Sequence, residues 1–302
     1  MTPATGPDLA CFGYLAYAQV FGVTAYPAAN SGTQVTQIIP SLAGDAPIAA
    51  LTARQLGTRA NLVSNPVSLD PAGLAVLHTL DTIGVAHQAV PLAMSGPGTP
   101  QLTIVTDEAG TRTWFAWLGT ATDQLNAADP TPLTTARLAY VDCYRIIDLA
   151  AAAAITASQA PLLLNLGGDP LSEAVASAAN NRHVAYVQTN LDEANADQAD
   201  SLATALHERI AADAIVITLG KHGAFARTAT GTAHVSAPSM AIRHTHGAGA
   251  AFSGGLAHAH LRGAGLAEAL HAACAIATAH CAAVRHIPQQ RTHISLVKED
   301  LP

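Results

Sequence analysis

Between His244 and His260 the chain reads HTHGAGAAFSGGLAHAH, a segment whose residue types suit holding an anion more than moving a proton. A glycine turn that opens a helix presents backbone N–H groups lacking an intrahelical acceptor, together with the positive end of the helix dipole. That combination suits a phosphate or a developing oxyanion. Gly247 and Gly249 permit the turn, and Gly247, Ala248 and Gly249 are the expected anion hole. The nearest acidic residues in sequence are Asp213 before the loop and Glu268 after it, so the segment carries no carboxylate of its own to act as a general base. His258 and His260 stand two apart on an expected helix, and residues at that spacing do not share a face, which argues against a metal site built from them.

The elements that must position this loop alternate along the chain. ACFGYLAYA reads as a first strand, VTQIIP as a short strand, and AGDAPIAALTARQLG as a helix closed by Gly57. RANLVSNPV is the next strand, and LDPAGLAVLHTLDTIG a helix with Asp70 as N-cap and Pro71 in its first turn. QLTIVTDEAGTRTWFAWLG reads as a hairpin turning at Glu108, Ala109 and Gly110. ARLAYVDCY, APLLLNLG, HVAYVQTN and AIVITLG follow as buried strands separated by Ala-rich helices, including Leu149 to Ala160. The last helical region is expected from about Ala250 to His286. Alternating strands and helices predict a mostly parallel sheet with helices on both faces, and one domain with a small β excursion is the economical division.

Composition narrows the partners. The formal charge is −7 and the 14 Lys and Arg are scattered, which argues against a nucleic-acid surface. No uninterrupted apolar run approaches the roughly 20 residues of a membrane span. Cys11, Cys143, Cys274 and Cys281 show no metal or redox spacing, and the N-terminus lacks the basic region of a signal peptide. A cytoplasmic protein with small-molecule partners is expected.

The collinear order of an early glycine strand, RQLG, DPAGLAVLHTLDTIGV, the hairpin DEAGTRTWF, TNLDEA, VITLGKHGAF and THGAGAAFSGGLAHAHLRGAGLAEAL resembles the PfkB/ribokinase family of sugar and nucleoside kinases. The resemblance covers nearly the whole chain. It implies a ribokinase-like three-layer α/β/α sandwich over residues 1–302, with a β lid from strands within about 14–40 and 85–118. It also implies ATP and Mg²⁺ as cofactors, a sugar, nucleoside or nucleotide-like ligand, and a homodimer formed through the lid. In the implied mechanism an Asp takes the proton of the acceptor hydroxyl while loop amides stabilise the transferring phosphate.

The chain departs from that pattern where the chemistry would occur. The family loop DTxGAGD is HTHGAGA here, so His244 stands at the first Asp and Ala250 at the proton acceptor. His244 and His246 are the available substitutes, although both precede the glycines whereas the lost Asp follows them. In the substrate half, Ala18 replaces an Asp that grips hydroxyls, and AGDAPI replaces GGxxxN, keeping Gly44 but placing Ile48 at the Asn. Arg112 would reach an anionic ligand from the lid, with Trp114 or Trp117 stacking on a ring or serving an interface. The nucleotide half is better kept: Asn190 and Glu193 fit the N-x-x-E motif tied to water-mediated Mg²⁺ positioning, with no direct metal ligand. Thr218, Gly220 and Gly223 match the strand and turn beside the nucleotide, and Cys274 falls near an expected adenine contact. Three readings follow: a degenerate kinase, or pseudokinase, that keeps ligand binding, an active kinase with a substituted base, and an enzyme repurposed for another reaction on a phosphorylated metabolite.

Overall fold

The computed structural model describes residues 6–92, 98–108 and 111–283. In chain order the strands and helices are β1 (Leu9–Phe12), β2 (Ala16–Val23), β3 (Val35–Ala43), α1 (Asp45–Gln55), β4 (Ala60–Val63), α2 (Pro71–Ile83), β5 (Ala86–His87), β6 (Gln101–Thr106), β7 (Arg112–Trp117), α3 (Ala121–Asn126) and α4 (Thr131–Thr135). There follow β8 (Leu138–Asp142), α5 (Asp148–Ala157), β9 (Leu162–Asn165), α6 (Glu173–Ala179), β10 (Val184–Asn190), α7 (Ala199–Arg209), β11 (Ala214–Thr218), β12 (Ala224–Thr228), β13 (Gly231–Val235), α8 (Ala248–Leu261) and α9 (Leu266–Ala282).

Nine strands form one sheet in the order β13-β12-β11-β10-β9-β8-β1-β4-β5. Pairing is parallel from β11 through β5, and antiparallel where β12 and β13 extend the edge. The central strands are apolar throughout because both faces are covered. In β1, Leu9 and Cys11 point into a core shared with α1, α2, α8 and α9, while Ala10 and Phe12 point into a second core under α5, α6 and α7. This is the three-layer ribokinase-like arrangement. No helix among the described residues is long and apolar enough to cross a membrane.

A second, four-stranded sheet has the order β3-β2-β6-β7 and its own small core of Ala16, Ala18, Val20, Leu102 and Ile104. The single first strand expected from ACFGYLAYA is therefore two strands in different sheets, divided at Gly13. Asn65 fastens that crossing: it is fully buried, its Oδ1 accepts from Leu15 N at 2.8 Å, and its Nδ2 donates to Leu15 O at 3.0 Å. The hairpin is present as antiparallel β6 and β7, with Ala109 and Gly110 outside the described residues.

The expected helix from Ala250 to His286 is instead α8 and α9. Gly263, with φ 81°, takes the left-handed conformation between them, which ends α8 and lets α9 fold back against it. Val284 onward, and with it the end of that expectation, lies outside the described residues. Asp70 caps α2 as expected, accepting from Gly73 N at 2.7 Å.

Candidate active site

The chain runs from β1 to β4 and β5 on one side, then returns across β1 to β8, β9, β10 and β11 on the other. Between β1 and β8 the strand order reverses, and the crevice beyond the carboxyl ends of strands at such a switch point is where open α/β sheets bind ligands. The lid strand β2 leaves from β1 here and β3 returns into α1 here. Gly44, with φ 101°, makes the return, and a Cβ on it would lie 2.0 Å from Tyr14 O, so no other residue fits.

The glycine loop enters the same crevice. Gly247 is the N-cap of α8 in the left-handed region, φ 73°, whereas Gly249 lies inside the first turn and needs no special φ. The conformational demand expected at both glycines thus falls on Gly247 alone. Gly249 matters for space: a Cβ there would meet nothing within 4 Å. Ala248 N–H turns back to Thr245 O at 3.3 Å and Ala251 N–H bonds Gly247 O at 2.9 Å. The N–H groups of Gly249 and Ala250 are then the first-turn donors left for an anion. Of the expected anion hole of Gly247, Ala248 and Gly249, the Ala248 N–H is already engaged by Thr245 O.

Ala250 is fully buried in the first turn of α8. Both histidines of the loop are engaged by backbone carbonyls. His246 hydrogen-bonds Leu42 O through Nε2 at 3.2 Å, and desolvation pushes its imidazole down to about 4, which leaves it neutral near pH 7. His244 turns to the end of α9, where Nε2 hydrogen-bonds Ala283 O at 3.1 Å. His280, which the sequence did not single out, hydrogen-bonds His246 O at 2.8 Å and props the loop from α9. His258 and His260 part company as their spacing requires, one bonding Thr58 at 2.8 Å and the other Tyr186 at 3.1 Å.

In the substrate half, Ala18 is buried in the lid's own core, and Ile48 packs beneath the loop, with its Cδ1 3.0 Å from where a Gly247 side chain would begin. Arg112 bridges lid and loop by donating to Thr245 O at 2.9 Å, and it lies over the Trp114 ring. Trp117 is exposed with the rest of edge strand β7.

In the nucleotide half, Asn190 and Thr218 are neighbours in register at the ends of β10 and β11. Glu193 is engaged by Lys221, accepting from its backbone N at 2.9 Å and pairing with Nζ at 2.8 Å, and this holds its carboxyl below the ordinary range. It also fills the space beside Gly220 and so braces the turn, with about two-fifths of its side chain exposed. Gly223, φ 90°, is required where β12 begins because a Cβ would lie 1.9 Å from Val235 O. Cys274 is buried in the core shared by α8 and α9, with its thiol pushed up to about 11 by that burial.

The structure also assembles a polar group that sequence reasoning missed. Asp142, at the end of β8, is fully buried. Its Oδ1 accepts from Tyr140 OH at 2.7 Å and Asn165 Nδ2 at 3.3 Å, and its Oδ2 accepts from Ala46 N at 2.9 Å. Asp45, in the first turn of α1, accepts from Asn165 Nδ2 at 3.1 Å and from Tyr144 OH through the same Oδ2. Desolvation, and then the charge of Asp45, push Asp142 up to about 8. Asp45 and Asp142 come from distant segments of the sequence, and no short motif joins them. The only local signal was a set of polar residues closing otherwise apolar strands.

For phosphate the residues present fit: a left-handed glycine, an open first turn and the positive end of α8 face one crevice. Among the described residues no group of three or more His, Cys, Asp or Glu is placed to hold a metal ion.

Residues 7–288 match the family model described as pfkB family carbohydrate kinase, and the chain belongs to that family. Among solved structures, it is similar to ribokinase from Thermotoga maritima (16% identity, TM-score 0.74, covering 93% of this chain and 95% of that one). It is similar also to Arabidopsis thaliana ribokinase complexed with ribose and ATP (17%, 0.73, 94% and 95%) and to Burkholderia thailandensis nucleoside kinase in complex with inosine (18%, 0.75, 93% and 92%). No curated protein matches the sequence.

Proposed function

We propose that this chain binds a nucleotide or another phosphate-bearing metabolite on the first turn of α8, and that it has lost ordinary ATP-dependent sugar phosphorylation. The observation that carries this is Ala250, fully buried where the family resemblance puts the proton acceptor, beside a cradle that remains open at Gly249. General-base assistance contributes about 100-fold to 10,000-fold to rate, and a methyl group supplies none of it. The neutral, backbone-bound His246 and His244, which packs against His280 and bonds Ala283 O, do not restore it. ATP is the nucleotide that family membership favours, with Mg²⁺ arriving on the nucleotide. The same reading takes residues 1–302 as one cytoplasmic domain and the exposed Trp114, Phe115 and Trp117 of β7 as the lid surface through which two copies meet.

The test is a melting-temperature screen of ATP, ADP, inosine, ribose and inorganic phosphate, followed by a radiolabelled transfer assay with the compounds that bind. Because a ligand raises apparent stability with the logarithm of its concentration over Kd, even weak binding registers. A shift with phosphate compounds and no transfer to any sugar or nucleoside is expected. Robust phosphorylation abolished by a Gly249 substitution refutes the loss, and phosphorylation abolished by His246→Ala identifies a substituted base.

A further inference from the structure

Asp45 is a carboxylate that pairs with no cation among the described residues. Ion pairs among the described residues engage Asp8, Asp81, Asp200, Asp213, Glu173 and Glu193, and neither Asp45 nor Asp142 takes part in one. The guanidinium of Arg112 on the lid is committed to Thr245 O and to the face of Trp114. His246, close enough to feel the charge of Asp45, is neutral. Within the carboxyl network the donors are distributed unevenly. Both oxygens of Asp142 are occupied, and Asp45 Oδ2 accepts from both Tyr144 and Asn165, but no donor among the described residues reaches Asp45 Oδ1. That oxygen belongs to a half-buried side chain at the switch-point crevice, one helical turn from Ile48, which itself touches the glycine loop.

We infer that the ligand of this site carries a protonated amine, which docks on Asp45 Oδ1 while a phosphate occupies the first turn of α8; the ligand class is an aminated sugar or amino alcohol bearing, or bound beside, a phosphate. The inference rests on the phosphate-binding reading above. A half-buried carboxylate with no protein counter-charge favours a ligand that brings one, and an ammonium group supplies charge and donors together. A neutral polyol fits less well, because Ala18 and Ile48, both buried, offer no hydrogen-bonding group where the family resemblance puts the partners of its hydroxyls. A divalent cation held by the protein alone fits less well too, since among the described residues no group of three or more His, Cys, Asp or Glu is placed to hold one.

The test compares ligand pairs that differ by an ammonium for a hydroxyl: glucosamine 6-phosphate against glucose 6-phosphate, and 2-aminoethyl phosphate against 2-hydroxyethyl phosphate. Calorimetric Kd values are measured on the full chain and on Asp45→Asn, with ATP, inorganic phosphate, unphosphorylated glucosamine, Mg²⁺ and Mn²⁺ as further titrants. A preference of about tenfold to a hundredfold for the amine is expected, the range of one charged hydrogen bond. It should fall below about twofold in Asp45→Asn. If the Asn variant does not fold, Asp45→Ser replaces it, Ser being tolerated in a first helical turn. Equal affinity within the pairs, a preference that survives loss of Asp45, or Mg²⁺ or Mn²⁺ binding alone through Asp45 overturns the inference. Phosphate compounds that bind with no amine preference leave the phosphate reading standing and refute this one. Glucosamine that binds through Asp45 while no phosphate compound binds does the reverse.

Discussion

Replacing Asp142 by Asn should change how stability depends on pH, because the native fold keeps a proton on this carboxyl that the unfolded chain releases. In the native state burial and then the charge of Asp45 raise it from the ordinary 3.8 to about 8. Between these values the folded chain binds more protons than the unfolded one, so this carboxyl's contribution is greatest at low pH and is lost as pH rises toward about 8. A full proton corresponds to about 1.4 kcal/mol per pH unit, so the change from about pH 5 to about pH 8 is on the order of a few kcal/mol. Asn removes this slope, since its amide does not titrate. It adds a cost of about 1–3 kcal/mol that is independent of pH, because its NH₂ must face either the Ala46 N–H or the Asn165 amide, both of which donate. The assay is urea denaturation of both proteins at several pH values between about 5 and about 8. The histidines are common to both proteins, so their titration cancels in the difference. The wild type should lose stability relative to Asp142→Asn as pH rises; a difference that is flat, or that moves in favour of the wild type, would refute the buried, proton-holding carboxyl.

Two further outcomes separate the roles of the loop glycines and test the lid crossing. Gly247→Ala should cost about 1–2 kcal/mol by denaturation, since it forces a left-handed φ of 73° and sets a methyl 3.0 Å from His280 Nε2, whereas Gly249→Ala, with open space around it, should leave stability intact or slightly improved and weaken phosphate binding. Asn65→Ala should cost about 1–3 kcal/mol and lower the melting temperature by several degrees, because the Leu15 N–H and carbonyl that it satisfies are left unpaired in the core.

Much of the architecture was legible in the chain. Apolar runs such as LLLN and AIVIT mark strands buried on both faces, and the Asp70-Pro71 start of α2 follows from capping chemistry alone. What escaped were features with no local signature. The passage of ACFGYLAYA between two sheets depends on Asn65, 50 residues beyond Leu15, and the break between α8 and α9 rests on Gly263 inside a region whose Ala content favours unbroken helix. In the site, the glycine loop and the Ala250 that follows it were visible because their residues are contiguous. The hydrogen bonds that occupy Glu193, His244 and His246 were not, since a partner across the fold decides whether a polar side chain faces a ligand or the protein.

By itself the sequence determined which groups exist: a glycine turn opening a helix, Ala250 just after it, and the apolar Ala18 and Ile48. These follow from residue identity and neighbouring order. Only the tertiary structure decided which groups meet. It gave Gly247 the turn and Gly249 the open space, withdrew both histidines, and brought Asp45 and Asp142 together through Asn165 and two tyrosines. The physical reason is that charge and hydrogen-bonding capacity act over a few ångströms in space. Residues from α1, β8 and β9 are brought that close only by the reversal of strand order between β1 and β8.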